Sequence, residues 1–158
     1  MFKPDAIISW DIDEVSKALK IPPMDVSAYF TDGRRISFIL ERRIAREVMQ
    51  GKIATSEGSD YDIIDKDGQK WEVRSITRSG IYFCPSYMVG SGRSFNEDGF
   101  LIKLKEIAGY IVTDIDEFPN VPIKKVSKDQ VLQWWKNGEL GPTTKISHAR
   151  MLELLSKI

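Results

Sequence analysis

The acidic residues best placed to do chemistry in this chain gather in one stretch, Asp60-Tyr61-Asp62-Ile63-Ile64-Asp65-Lys66-Asp67-Gly68-Gln69-Lys70-Trp71-Glu72-Val73-Arg74. Polar and apolar residues alternate on both sides of Lys66-Asp67-Gly68, which is the pattern of a β-hairpin. Side chains alternate across a strand, so Lys70, Glu72 and Arg74 share one face, and Asp60 and Asp62 share a face of the strand before it. The turn decides whether these faces coincide. A two-residue loop, Asp67-Gly68, pairs Asp62 with Val73 and sets Asp62 and Glu72 on opposite faces. A three-residue loop with Gly68 left-handed pairs Asp62 with Glu72 and brings Asp60 towards Arg74. Glycine in the third position favours the second arrangement. Two opposed carboxylates repel unless a cation sits between them. A hard ion with oxygen ligands, Mg²⁺ or Mn²⁺ in its place, would resolve the repulsion, polarise a phosphodiester and acidify a bound water. The ordinary alternative is a solvated hairpin face with surface ion pairs.

Other chemistries are poorly supplied. The chain has one histidine, His148, which argues against a zinc site and against histidine-based catalysis. Its one cysteine, Cys84, excludes an internal disulfide and reads as a core residue with no catalytic partner set. Trp134-Trp135 reads as packing, and His148, beside a helix cap, as structural. Net charge is zero, with 23 basic and 23 acidic residues, but the charges are segregated. Arg34, Arg35, Arg42, Arg43 and Arg46 crowd one segment and could track a phosphate backbone, or form a solvated helix face paired with Glu41 and Glu47. The loop Tyr87 to Arg93 is glycine-rich enough for close backbone approach, and Arg93 could reach phosphate or guanine.

The elements that must position these residues follow from period and punctuation. A length of 158 residues with 42% apolar content suits one domain with a real core. Residues 11–20 predict a short helix ending before Pro22-Pro23. Residues 33–50 predict the longest helix, with Ile36, Leu40, Ile44 and Val48 on one face, Asp32 at its start and Gly51 at its end. Strands are expected at 60–65, 69–76 and 80–84, then a helix capped by Asn96, a buried strand at 109–115 and an edge strand at 121–126 protected by Lys124-Lys125. Ser127 and Ser147 cap two last helices. The order predicts a mixed sheet flanked by helices, an α/β or α+β fold. No apolar run reaches the ~18 residues of a membrane span, and Met-Phe-Lys-Pro-Asp lacks a signal-peptide core, so a cytoplasmic location is expected.

The stretch Gly58-Ser59-Asp60-Tyr61-Asp62 through Gly68-Gln69-Lys70-Trp71-Glu72-Val73-Arg74-Ser75 resembles the active-site hairpin of PD-(D/E)XK nucleases, small type II restriction endonucleases in particular. The termini of such enzymes are also similar to the C-terminal pattern here, with Trp134-Trp135, a glycine turn and Ile146-Ser147 opening a last helix. The resemblance implies a restriction-endonuclease-like domain over 1–158, with its core at about 33–126 and a helical part at 127–158. It implies a Mg²⁺-dependent endonuclease that hydrolyses phosphodiesters in double-stranded DNA, acting as a homodimer. Asp62 and Glu72 then map to metal ligands, and Glu41 to a third acid, with Glu47 the other candidate. Arg74 stands where the family has lysine; arginine stays charged and cannot act as a base, so Lys70, on the same face, could substitute. Arg34, Arg35, Arg78 and Arg93 are the candidate DNA contacts. The departure at Arg74 keeps two alternatives open, a non-catalytic nucleic-acid-binding module that kept the fold and a nuclease for RNA or structured DNA.

Overall fold

The computed structural model describes residues 2–56 and 59–158; Gly58 of the hairpin stretch lies outside the described residues. The chain begins with β1 (Ala6–Ser9) and α1 (Ile12–Leu19), whose N-terminus is capped by Asp11. Lys20 turns left-handed at φ 59° and ends the helix before the prolines. Pro23 then opens α2 (Pro23–Phe30), where a fixed φ is already helical, and Val26 and Phe30 bury one turn apart. In α3 (Gly33–Arg43) the Asp32 carboxylate accepts the N–H groups of Arg34 and Arg35 at 3.0 and 3.3 Å. A π-helical turn, Ile44–Val48, prolongs it. The strands β2 (Lys52–Ile53), β3 (Ile63–Ile64) and β4 (Lys70–Ile76) follow. Asn96 caps α4 (Glu97–Glu106), which leads to β5 (Gly109–Asp114), β6 (Asn120–Ser127), α5 (Lys128–Lys136) and α6 (His148–Ser156).

The six strands form one sheet in the order β1-β6-β5-β4-β3-β2. The central pair β4–β5 is parallel, joined by the α4 crossover, and every other pair is antiparallel. Alternate residues feed two apolar layers. Val73, Ile111 and Ile123 face the layer closed by α2 and α3, with Val26, Ile36 and Leu40. Ile76, Tyr110, Val112 and Val126 face the other, closed by α4, α5 and α6, with Phe100, Val131 and Leu154. The fold is therefore a mixed sheet between two helical layers, α+β, as the pattern predicts.

Four expectations are corrected. Residues 121–126 are not an edge strand, because β1 pairs along β6 from Ala6↔Ile123 to Ser9↔Asn120. Residues 80–84 are not a strand of the sheet. Ile81 makes one bridge to Ile146, and the N–H groups of Phe83 and Cys84 donate instead to Thr144 Oγ1 at 3.0 and 2.8 Å. A buried apolar run needs its backbone satisfied, and a hydroxyl does here what a neighbouring strand would have done. The expected strand at 60–65 contracts to Ile63–Ile64. The core also reaches outside 33–126, since Ile8, Val26 and Phe30 belong to the α2–α3 layer.

Candidate active site

The site is built at the point where β3 and β4 part. Ile63 faces Trp71 and Ile64 faces Lys70, so the register sets Asp62 opposite Glu72, and the Asp62 N–H reaches the Trp71 carbonyl at 3.0 Å. This is the pairing that the three-residue loop requires. Gly68 closes that loop at φ 81°. The Asp65 carboxylate holds it by accepting the N–H groups of Asp67 and Gln69, both at 2.9 Å, and the Trp71 indole N–H. Past Asp62 the chain leaves β4, and the Val73 N–H would lose its partner. The Asp62 carboxylate takes that place, accepting the Val73 N–H through Oδ2 at 2.8 Å. A side chain thus ends the ladder, and the split leaves room for groups from both helical layers.

Glu72 is 8% exposed, which a carboxylate tolerates only with charged partners. It has two. Arg74 Nη1 lies 2.8 Å from Oε2, and Lys103 Nζ, arriving from α4, lies 2.7 Å from Oε1. Lys103 also donates to the Asp60 carbonyl. Arg74 is fixed in place: it donates to the carbonyls of Val73 and Cys84 at 3.1 and 3.2 Å and lies against the rings of Tyr82 and Tyr110. Its buried Nε has no partner among the described residues. Glu41 approaches from α3. Burial, with Asp62 and then Glu72 adding to it, pushes its carboxyl up to about 7. Burial raises Asp62 as well, helped by the Glu72 charge and opposed by the Val73 N–H, Arg74 and Lys103. Glu72 is thus held between two cations opposite Asp62, with the half-buried Glu41 carboxyl near enough to feel both acids.

Asp62 stands opposite Glu72, and Arg74 pairs with Glu72; Glu41, on α3, makes no hydrogen bond or ion pair with them among the described residues. Lys70 stands apart: it is exposed at the turn, with its ammonium 5.3 Å from the Tyr61 ring centroid. Asp60 offers its carbonyl to Lys103, and no Asp60–Arg74 ion pair occurs among the described residues. Glu47 pairs with Arg43 on the outer side of the helix. Arg34 and Arg35 lie exposed on α3, Arg78 pairs with Asp116 at 3.1 Å beyond β4, and Arg93 donates to the carbonyls of Ser86 and Val89. These four stand on three separate segments. Lys103 is the residue sequence reasoning missed. Its signal was a lysine among Phe100, Leu104 and Ile107, on the inner face of an otherwise apolar helix stripe.

Among the described residues, no three His, Cys, Asp or Glu side chains converge as a ready ligand set for a metal. In donor type the carboxylates of Asp62, Glu72 and Glu41 suit a hard divalent ion, having oxygen ligands only. Both oxygens of Glu72 are already engaged by Arg74 and Lys103. Comparison with protein-family models, with curated proteins and with solved structures found no match to this chain.

Proposed function

We propose that this chain is a metal-dependent endonuclease of the PD-(D/E)XK kind that hydrolyses phosphodiesters in double-stranded DNA. The observation that carries the reading is the ion pair of Lys103 with Glu72, directly opposite Asp62 where β3 and β4 part. In this reading Lys103, rather than Arg74 or Lys70, takes the part of the motif lysine. Asp62 and Glu72 would hold Mg²⁺, or Mn²⁺ in its place, with Glu41 assisting. The ion would supply Lewis-acid polarisation of the phosphate and a more acidic water. The chain's own groups do the rest. Hydrolysis adds a water oxygen to phosphorus, breaks the phosphorus–oxygen ester bond and moves one proton from the water to the leaving oxygen. Lys103 places a positive charge beside the developing negative charge on phosphorus, and Glu41, poised near neutrality, can take a proton. Arg74 pairs with Glu72 Oε2 and fixes its orientation. A homodimer on a two-fold DNA site, restriction of foreign DNA and a cytoplasmic setting belong to the same reading. Among the described residues, no helix is long and apolar enough to cross a membrane.

One observation favours a second reading, a nucleic-acid-binding module without catalysis: Glu72 is neutralised twice by the chain itself. Plasmid cleavage in Mg²⁺ or Mn²⁺ against an EDTA control separates the two. Under the nuclease reading Asp62→Ala and Lys103→Ala each lower the rate by at least about 100-fold, the scale of a lost proton-transfer or charge-stabilising group, while Lys70→Ala stays within about twofold. Absence of metal-dependent cleavage in the wild-type chain supports the binding module.

A further inference from the structure

The outer face of α3 carries a pattern that the proposed active site leaves unused. Arg34, Arg35, Phe38, Arg42 and Arg46 are all exposed. At 100° per residue Arg34, Arg35, Phe38 and Arg42 fall within about a third of the α3 circumference, and Arg46 follows on the π-helical turn that prolongs it. They extend over about 18 Å at 1.5 Å per residue. Phe38 stands at the centre of this stripe and is 62% exposed. The Arg42 guanidinium is stacked on one face of its ring, 3.4 Å from the centroid, and donates to the Phe38 carbonyl at 2.9 Å, which leaves the other face to a base. Acidic compensation is slight. Arg35 has Asp32 at 3.8 Å, and Arg34, Arg42 and Arg46 make no ion pair among the described residues. Arg43 is the contrast, turned to Glu47 and the Ser9 carbonyl and stacked on Trp10, so it serves the fold. Arginine is used throughout, and its planar donors suit phosphate oxygens.

We infer that the outer face of α3 is a binding track for single-stranded nucleic acid, with Arg34, Arg35, Arg42 and Arg46 on the phosphates and Phe38 as a platform for an unpaired base. Charge complementarity selects a polyanion, and the ring selects among polyanions. An exposed phenyl group set among guanidinium groups offers nothing to a duplex, whose bases are already stacked, whereas every unpaired base has a face to lay on it. Glu41 borders the stripe on the same helix, so a strand on this track passes the acidic pocket. The track does not depend on catalysis.

The test is fluorescence anisotropy in EDTA, where cleavage plays no part and failure of the nuclease reading leaves the outcome readable. The probes are a labelled oligothymidylate of about 15 nucleotides, within the range of single-strand site sizes, and a duplex of the same length. The single strand is expected to bind about tenfold tighter than the duplex, and four arginine contacts give a slope of log K against log salt of about −3. Phe38→Ala weakens single-strand binding about tenfold and Phe38→Trp retains it, as base stacking on a ring requires. Arg42→Ala makes the slope shallower by about 0.7, one phosphate contact. Circular dichroism confirms folding, which an exposed residue leaves intact. Equal or tighter duplex binding, or wild-type affinity in Phe38→Ala, overturns the proposal.

Discussion

Glu72 and the two cations beside it are where stability and chemistry meet. Lys103 and Glu72 are both deeply buried, so removing the ammonium leaves a carboxylate with one partner in a poorly hydrated pocket. Full loss of a buried partner costs about 3–5 kcal/mol; with Arg74 still in place, Lys103→Met should cost about 2 kcal/mol. In a chain of this size that lowers Tm by about 4–8 °C, measurable by calorimetry. Lys70→Met, at an exposed turn, should leave Tm unchanged. Glu41 gives a pH signature of opposite character. Its carboxyl, raised to about 7 in the fold, holds a proton more tightly there than in the unfolded chain. Its contribution is therefore fully present below the ordinary carboxylate range and is lost as pH rises through about 7. Glu41→Gln should match the wild type in urea midpoint near pH 4 and exceed it at pH 8; parallel pH profiles for the two proteins would sink this account. The Asp62–Glu72 pairing was legible in the sequence, because strand period and a glycine-closed turn fix it locally. Lys103 was not, because only the β4–α4–β5 crossover carries that helix back over the site.

At the scale of elements, the hairpin owes its register to one backbone conformation. Gly68 sits at φ 81°, and a Cβ there would meet no atom within 4 Å, so conformation alone, not crowding, opposes a side chain. Gly68→Ala should cost about 1 kcal/mol, and Gly68→Asn less, since asparagine visits the left-handed region more readily. Urea unfolding of the two variants checks the order; equal cost would point to an unrelated cause. Helices with caps and a full apolar period were read correctly, including α3 with Asp32, α4 with Asn96 and α5 with Ser127. Short elements were not. The four residues of β1 carry one buried side chain, Ile8, too little pattern to announce a strand. The proline pair that ends one helix also starts α2, and only its stop signal was read. The 80–84 run has the composition of a strand because it is buried, but its backbone is satisfied by Thr144, a partner some 60 positions away that no local pattern reveals.

At the scale of the molecule, β1 decides which part of the chain is one cooperative unit. Pairing with β6 covers what would otherwise be an open edge along the N-terminal half of the longest described strand. The segment reaches both apolar layers, Ile8 on the α2–α3 side and Phe2 on the other, each almost fully buried. It also supplies Asp5, which accepts the Lys125 N–H at 2.8 Å and faces Lys124 at 3.6 Å, and the Ser9 carbonyl that receives Arg43. Loss of two buried side chains at about 2 kcal/mol each is some 4 kcal/mol before the edge is counted. Set against a typical stability of about 5–15 kcal/mol, that is a large part of the whole. Deletion of residues 1–10 should therefore lower Tm by more than about 10 °C and promote association through the exposed β6, even though the acidic pocket lies on the far side of β5. Differential scanning calorimetry with light scattering reads both effects. A deletion variant that melts within about 2 °C of the full chain and stays monodisperse would show that residues 11–158 stand as a core without β1.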